Sequence, residues 1–132
     1  VEPNGQWWVR ADRNKLQQVI GNLLSNAVKY SPEGGEIKVT VAWREREGKR
    51  LAEIAVIDQG MGMTAAQVAR AFDRFFRADT SGSVAGTGLG LSLVKEIVTR
   101  HGGEVLLDSQ KGVGTRVRIL LPASPRKTVP ND

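Results

Sequence analysis

The sequence predicts an α+β two-layer sandwich, with about five strands in one mixed sheet and three helices packed on one face. Three observations lead there. Two long segments, Asp12–Tyr30 and Gly90–His101, repeat apolar residues at the three-and-four spacing of a helix face. Two pairs of shorter segments alternate apolar and polar residues as half-buried strands do: Glu36–Trp43 with Leu51–Asp58, and Glu104–Ser109 with Gly114–Leu121. The segments follow one another as hairpins and not in strict βαβ alternation, which disfavours a doubly wound parallel sheet.

The elements can be justified in order. After a ragged start at Val1–Gln6, Trp7–Ala11 suits a short strand, and Asp12 stands where a helix N-cap belongs. That helix ends at the breaker cluster Ser31-Pro32-Glu33-Gly34-Gly35. Ile37, Val39, Val41 and Trp43 then alternate along one strand, and Ala52, Ile54 and Val56 along its partner. Between them, Arg44–Arg50 interleaves acids with bases and reads as a solvated hairpin turn. Gln59–Met63 is a glycine turn, after which Thr64 caps a short helix through Ala71. Phe72–Arg77 is aromatic and basic, and Ala78–Ala85 is small, polar and aperiodic, as expected of a mobile loop. The helix from about Gly90 stops at His101-Gly102-Gly103, and two last strands flank the turn Lys111-Gly112-Val113-Gly114. The proline-bearing Ser124–Asp132 reads as a disordered tail, leaving one domain over 1–123.

Bulk composition narrows the function. A chain of 132 residues suffices for one domain with one core. With no cysteine, disulfides and thiolate metal sites are excluded, and a single histidine, His101, excludes a histidine cluster. No apolar run approaches the ~20 residues of a membrane span, and no signal-peptide pattern opens the chain, so a soluble, cytoplasmic domain without direct membrane contact is expected. The net charge of +5 is dispersed and accompanied by few aromatics, which argues against nucleic acid as a partner.

Three stretches carry chemistry. Gly86, Gly88 and Gly90 fall on alternate positions and run straight into a helix. Backbone N–H groups left unpaired at a helix N-terminus, aided by the helix dipole, favour an anion such as phosphate. The pattern is neither the dinucleotide fingerprint, whose third glycine comes three residues after the second, nor a Walker A loop, which ends in Gly-Lys-Ser/Thr. In the first helix, Gln18, Asn22, Asn26 and Lys29 share an arc of roughly 80° at ~100° per residue. Asparagine is a poor helix former, so two of them one turn apart ask for a reason. An amide oxygen can coordinate a hard cation such as Mg2+, and Lys29 adds positive charge for phosphate; incidental surface asparagines are the plainer alternative. Asp58 closes a buried strand at a glycine turn, where its carboxylate can accept from an exocyclic amine; Asp-x-Gly is equally ordinary turn chemistry.

Taken together and in this order, these stretches resemble the nucleotide-binding boxes of the ATP-binding catalytic domain of bacterial sensor histidine kinases. That domain belongs to the Bergerat-fold superfamily shared with type II topoisomerase, heat-shock chaperone and mismatch-repair ATPases. Asn22–Tyr30 resembles the asparagine box, Asp58-Gln59-Gly60-Met61-Gly62 the first glycine box and Phe72-Asp73-Arg74-Phe75-Phe76-Arg77 the phenylalanine box. Gly86-Thr87-Gly88-Leu89-Gly90-Leu91 resembles the second glycine box, and Gly112-Val113-Gly114-Thr115 the closing strand motif. The resemblance spans Trp8 to Pro122.

The resemblance implies a set of roles. Asp58 receives the adenine amino group, Gly60 and Gly62 shape that pocket, and Thr115 assists through its hydroxyl or a water. Tyr30 packs along adenine or ribose. Asn26 ligates Mg2+, with Asn22 beside it and Lys29 on phosphate. Gly86, Thr87, Gly88, Leu89, Gly90 and Leu91 cradle the phosphates. Residues 77–85 form an ATP lid, from which Arg77, with Arg74 the weaker candidate, could reach the γ-phosphate, a solvated arginine being the plainer alternative for either; Phe72 and Phe75 pack the lid base. Hydrolysing relatives carry a glutamate one turn before the magnesium-binding asparagine. Here that place holds Asn22, whose amide cannot accept a proton, so the sequence leans toward a phosphoryl donor.

His101 lies on the apolar stripe of its helix and is expected to be structural. The family's acceptor histidine sits on a separate helical hairpin domain. The implied function is therefore donation of the γ-phosphoryl of Mg-ATP to that domain in a two-component sensor, with a response regulator as an indirect partner and an inner-membrane sensor as the expected parent protein. The alternatives are a nucleotide-binding or docking domain without phosphotransfer, and an ATPase module.

Overall fold

The computed structural model describes residues 7–31, 33–73 and 90–125. In chain order the elements are β1 (Trp8–Val9), α1 (Arg13–Lys29), β2 (Ile37–Arg46), β3 (Lys49–Asp58), α2 (Ala65–Arg70), α3 (Gly90–Arg100), β4 (Glu104–Gln110) and β5 (Gly114–Ser124). The α+β class and the five-stranded sheet agree with the sequence. One part of the expectation is corrected: every pairing is antiparallel, so the sheet is not mixed. The helical passage from β3 to β4 does return the chain in the same direction. However, β5 inserts between those two strands and pairs antiparallel with both. The strand order is β1-β5-β3-β2, with β4 also on β5, which makes β5 the hub of the sheet.

Local chemistry explains the ends of the elements. The Asp12 side chain accepts from the Lys15 N–H and caps α1, and Thr64 with Gln67 forms a reciprocal capping box on α2. The charged stretch expected as a long turn is mostly strand. Arg46 pairs with Lys49, and only Glu47 and Gly48 turn the chain, both at positive φ (52° and 78°). Such a two-residue loop matches the twist of the flanking strands. Arg44 and Arg46 lie along the sheet face away from the helices, where Arg44 pairs with Glu53 and Arg46 with Glu104, while Arg118 bridges Glu53 and Asp108. β5 runs on to Ser124, into the stretch read as tail.

The core lies between the opposite sheet face and two helices. Val19, Leu23 and Ala27 of α1 meet Val94, Ile97 and Val98 of α3, over Val56 of β3 and Val117, Ile119 and Leu121 of β5. The alternation along β5 places its three residues on one face, and burial of each such side chain contributes roughly 1.5–3 kcal/mol. α2 packs beside β4.

His101 ties the two long helices together. Its Nε2 accepts the Asp12 N–H at 3.0 Å, so Nδ1 carries the proton and donates to the Ile97 carbonyl at 2.8 Å. The structural role expected for it is thus met by a neutral ring with both nitrogens bonded. His101→Ala should lower unfolding stability by about 0.5–1.5 kcal/mol, the net worth of one hydrogen bond whose Asp12 N–H can turn to water instead. The midpoint of urea denaturation measures this directly.

Candidate functional site

The site forms where four chain segments meet at one end of the sheet. The Tyr30 carbonyl, just past α1, accepts the Met61 N–H at 2.9 Å, and the Met61 carbonyl accepts the Gly112 N–H at 2.8 Å. These two bonds staple the end of α1 to the turn after β3, and that turn to the β4–β5 hairpin. The approach is too close for side chains. A Cβ on Gly60 would strike the Tyr30 carbonyl oxygen, and one on Gly62 (φ 66°) the Gln110 carbonyl oxygen. The two glycines, expected from the sequence to line a pocket, have this first requirement in the structure: they let backbone pass backbone.

Asp58 sits beside the staple as the last residue of β3 and is only 8% exposed. The Gly60 N–H donates to its Oδ1 at 2.8 Å, and the Thr115 backbone N–H also donates to the carboxylate. Burial pushes the carboxyl pKa above its ordinary value, and the two N–H donors only partly oppose this. In register Asp58 faces Thr115, and Thr115 faces Ser109. Three strands therefore set one polar row across a sheet face that is otherwise apolar. Ser109 Oγ lies 2.8 Å from Thr115 Oγ1 and accepts the Met63 N–H at 2.8 Å.

On the other side of the staple, Asn26 reaches the start of α3. A methyl group built on Gly90 would lie 3.4 Å from Asn26 Nδ2 and 3.5 Å from Oδ1. The amide of α1 thus stands beside the backbone N–H groups that open α3. Asn22 is half-buried one turn back, and Lys29 is exposed. Tyr30 is half-buried as the C-cap of α1. Leu91 is half-buried and packs its side chain against the core. Phe72 lies against α3, with the Lys95 ammonium 5.4 Å from its ring centroid. Gly86, Thr87, Gly88, Leu89, Arg74, Phe75 and Arg77 lie outside the described residues. Among the described residues no three His, Cys, Asp or Glu side chains cluster as a metal cage. A divalent ion here fits the pattern in which one protein oxygen, that of Asn26, is supplemented by phosphate and water oxygens.

Ser109 escaped sequence reasoning, since a serine in a strand carries no signal until the register sets it beside Thr115. The same holds for the Tyr30–Met61–Gly112 staple, which is made of backbone atoms alone.

Comparison with known proteins fits this geometry. Residues 11–125 match the family described as histidine kinase-, DNA gyrase B- and HSP90-like ATPases. The chain is 42% identical over 122 residues to the sensor histidine kinase WalK of Bacillus subtilis, covering 91% of this chain and 20% of that protein. It is 40% identical to the sensor-like histidine kinase SenX3 of Mycolicibacterium smegmatis, covering 89% of this chain and 30% of that protein. The chain therefore spans under a third of the length of these relatives. Among solved structures, the mycobacterial sensor histidine kinase MprB superposes with a TM-score of 0.79 at 35% identity, covering 92% of this chain and 81% of that one. Full-length ShkA in complex with AMPPNP superposes with a TM-score of 0.71 at 30% identity, covering 89% of this chain and 24% of that one.

The raised Asp58 pKa has a definite sign in stability. A carboxyl that holds its proton more tightly when folded contributes stability below pH 3.8, the ordinary value, and loses it as pH rises through the folded value. Measured by urea midpoints, the stability of the unsubstituted chain relative to Asp58→Asn should be greatest below pH 3.8 and fall as pH rises toward neutrality.

Proposed function

This chain belongs to the histidine kinase-, DNA gyrase B- and HSP90-like ATPase family, and from that premise we propose that it is the ATP-binding catalytic domain of a sensor histidine kinase. It binds Mg-ATP and donates the γ-phosphoryl group to a histidine on a separate helical hairpin domain. The observation that carries this reading is the convergence at one sheet end of a buried carboxylate, Asp58, with the Asn26 amide at the mouth of α3.

Each residue has a task that its chemistry suits. The Asp58 carboxylate accepts the exocyclic amine of adenine with the lone pairs left over from Gly60 and Thr115. Backbone N–H groups at the start of α3 receive phosphate oxygens, where the helix dipole is favourable. Lys29 adds positive charge on the α1 flank that bears Asn22 and Asn26. Mg2+, when bound, neutralises charge on the triphosphate, and Asn26 would hold it through its amide oxygen. Asn22 offers no carboxylate to take a proton from water, which favours transfer to a presented nucleophile over hydrolysis. In that transfer the bond from Pγ to the bridging oxygen breaks as a nitrogen–phosphorus bond to the acceptor imidazole forms, and ADP leaves. What the domain supplies is position and charge.

Calorimetry of the chain with Mg-ATP should show saturable binding, and Asp58→Asn should weaken it about tenfold or more by removing a charged acceptor. Absence of any heat at millimolar ligand overturns the reading. With a hairpin acceptor domain and radiolabelled ATP supplied, Asn26→Asp should reduce label on histidine by about a hundredfold or more, because a carboxylate replaces a neutral oxygen where charge must be balanced.

A further inference from the structure

Ser109 has three oxygen or nitrogen partners but a single proton to give. It accepts the Met63 N–H at 2.8 Å, lies 2.8 Å from Thr115 Oγ1 and 3.1 Å from the Gly114 carbonyl oxygen. The carbonyl can only accept, whereas Thr115 can do either, so two arrangements exist. If Ser109 gives its proton to Gly114, Thr115 must give its own to Ser109, and Thr115 then presents only lone pairs outward. If Ser109 gives its proton to Thr115, the Thr115 proton is released to face a ligand. The Thr115 contact sits at the preferred O–H···O length, and the Gly114 contact is longer than that range.

We propose that Ser109 is a positioning residue that makes Thr115 a hydrogen-bond donor beside the acceptor Asp58, and so selects the amine-plus-N1 edge of adenine. This rests on the nucleotide reading above. Asp58 and Thr115 are direct cross-strand partners on one face, so they present an acceptor and a donor side by side. Adenine carries the complement on neighbouring atoms, an exocyclic amine and the bare nitrogen N1. A purine with a 6-oxo group and a protonated N1 reverses both and meets two mismatches, each costly where the site's polar groups are left unpaired. Thr115 acts on N1 directly or through one water, and the donor polarity passes through either way.

The test compares ATP with 1-deaza-ATP, in which N1 is replaced by C–H, by calorimetry on the whole chain. The unsubstituted chain should prefer ATP by about fivefold or more, the worth of one hydrogen bond. In Ser109→Ala that preference should fall to about twofold or less, and Ser109→Thr, which keeps a hydroxyl, should restore it. Thr115→Val reads the same preference without touching Ser109, and it should lose it too. Equal weakening of both nucleotides in Ser109→Ala, or no preference in the unsubstituted chain, overturns the inference while leaving ATP binding intact. Failure of the unsubstituted chain to bind ATP overturns the nucleotide reading and this inference with it.

Discussion

The close passage of backbone past backbone at the end of α1 is the constraint on which the site depends. Tyr30 has finished the helix, and its carbonyl is taken by Met61 instead of by solvent. That single bond sets the height of α1 over the sheet end. It thereby sets where Asn26, one turn earlier, meets the start of α3. Gly60 and Gly62 are the condition for this, since any side chain would point into a neighbouring carbonyl. Burying such polar backbone is tolerable because each group involved has a partner.

The two sheet faces then divide the labour. The helix side carries valine, isoleucine and leucine over most of its length and supplies the cohesion. At its last row it turns polar, through Asp58, Thr115 and Ser109. A buried carboxylate at that place works against stability at neutral pH, since its desolvation is only partly offset by two backbone donors. The fold accepts that cost in the row where its apolar cover ends. The opposite face is held by arginine–carboxylate pairs, most of them exposed and each contributing little.

Much of this was legible from residues alone. Asp12 and Thr64 announced their helices by capping chemistry, and the helix faces followed from apolar spacing. Asp58 and Asn26 were singled out because each breaks a local preference: an acid at the end of a buried strand, an amide in a helix. Other features left no trace in composition. Glu47-Gly48 looked like part of a longer charged turn because the alternation of Arg44, Glu45 and Arg46 reports which side each residue faces and not whether it is bonded. Ser109 looked like any strand serine.

Residues read one after another settled which stretches are helix or strand and which residues cap the helices, because those properties come from local periodicity and capping chemistry. Tertiary structure alone decided that β5 lies between β3 and β4, that the sheet is antiparallel throughout, and that Asp58, Thr115 and Ser109 stand in one row. It also decided that Asn26 touches the threshold of α3. These are relations between residues far apart in the chain, and only strand register and helix packing bring them within reach of one another.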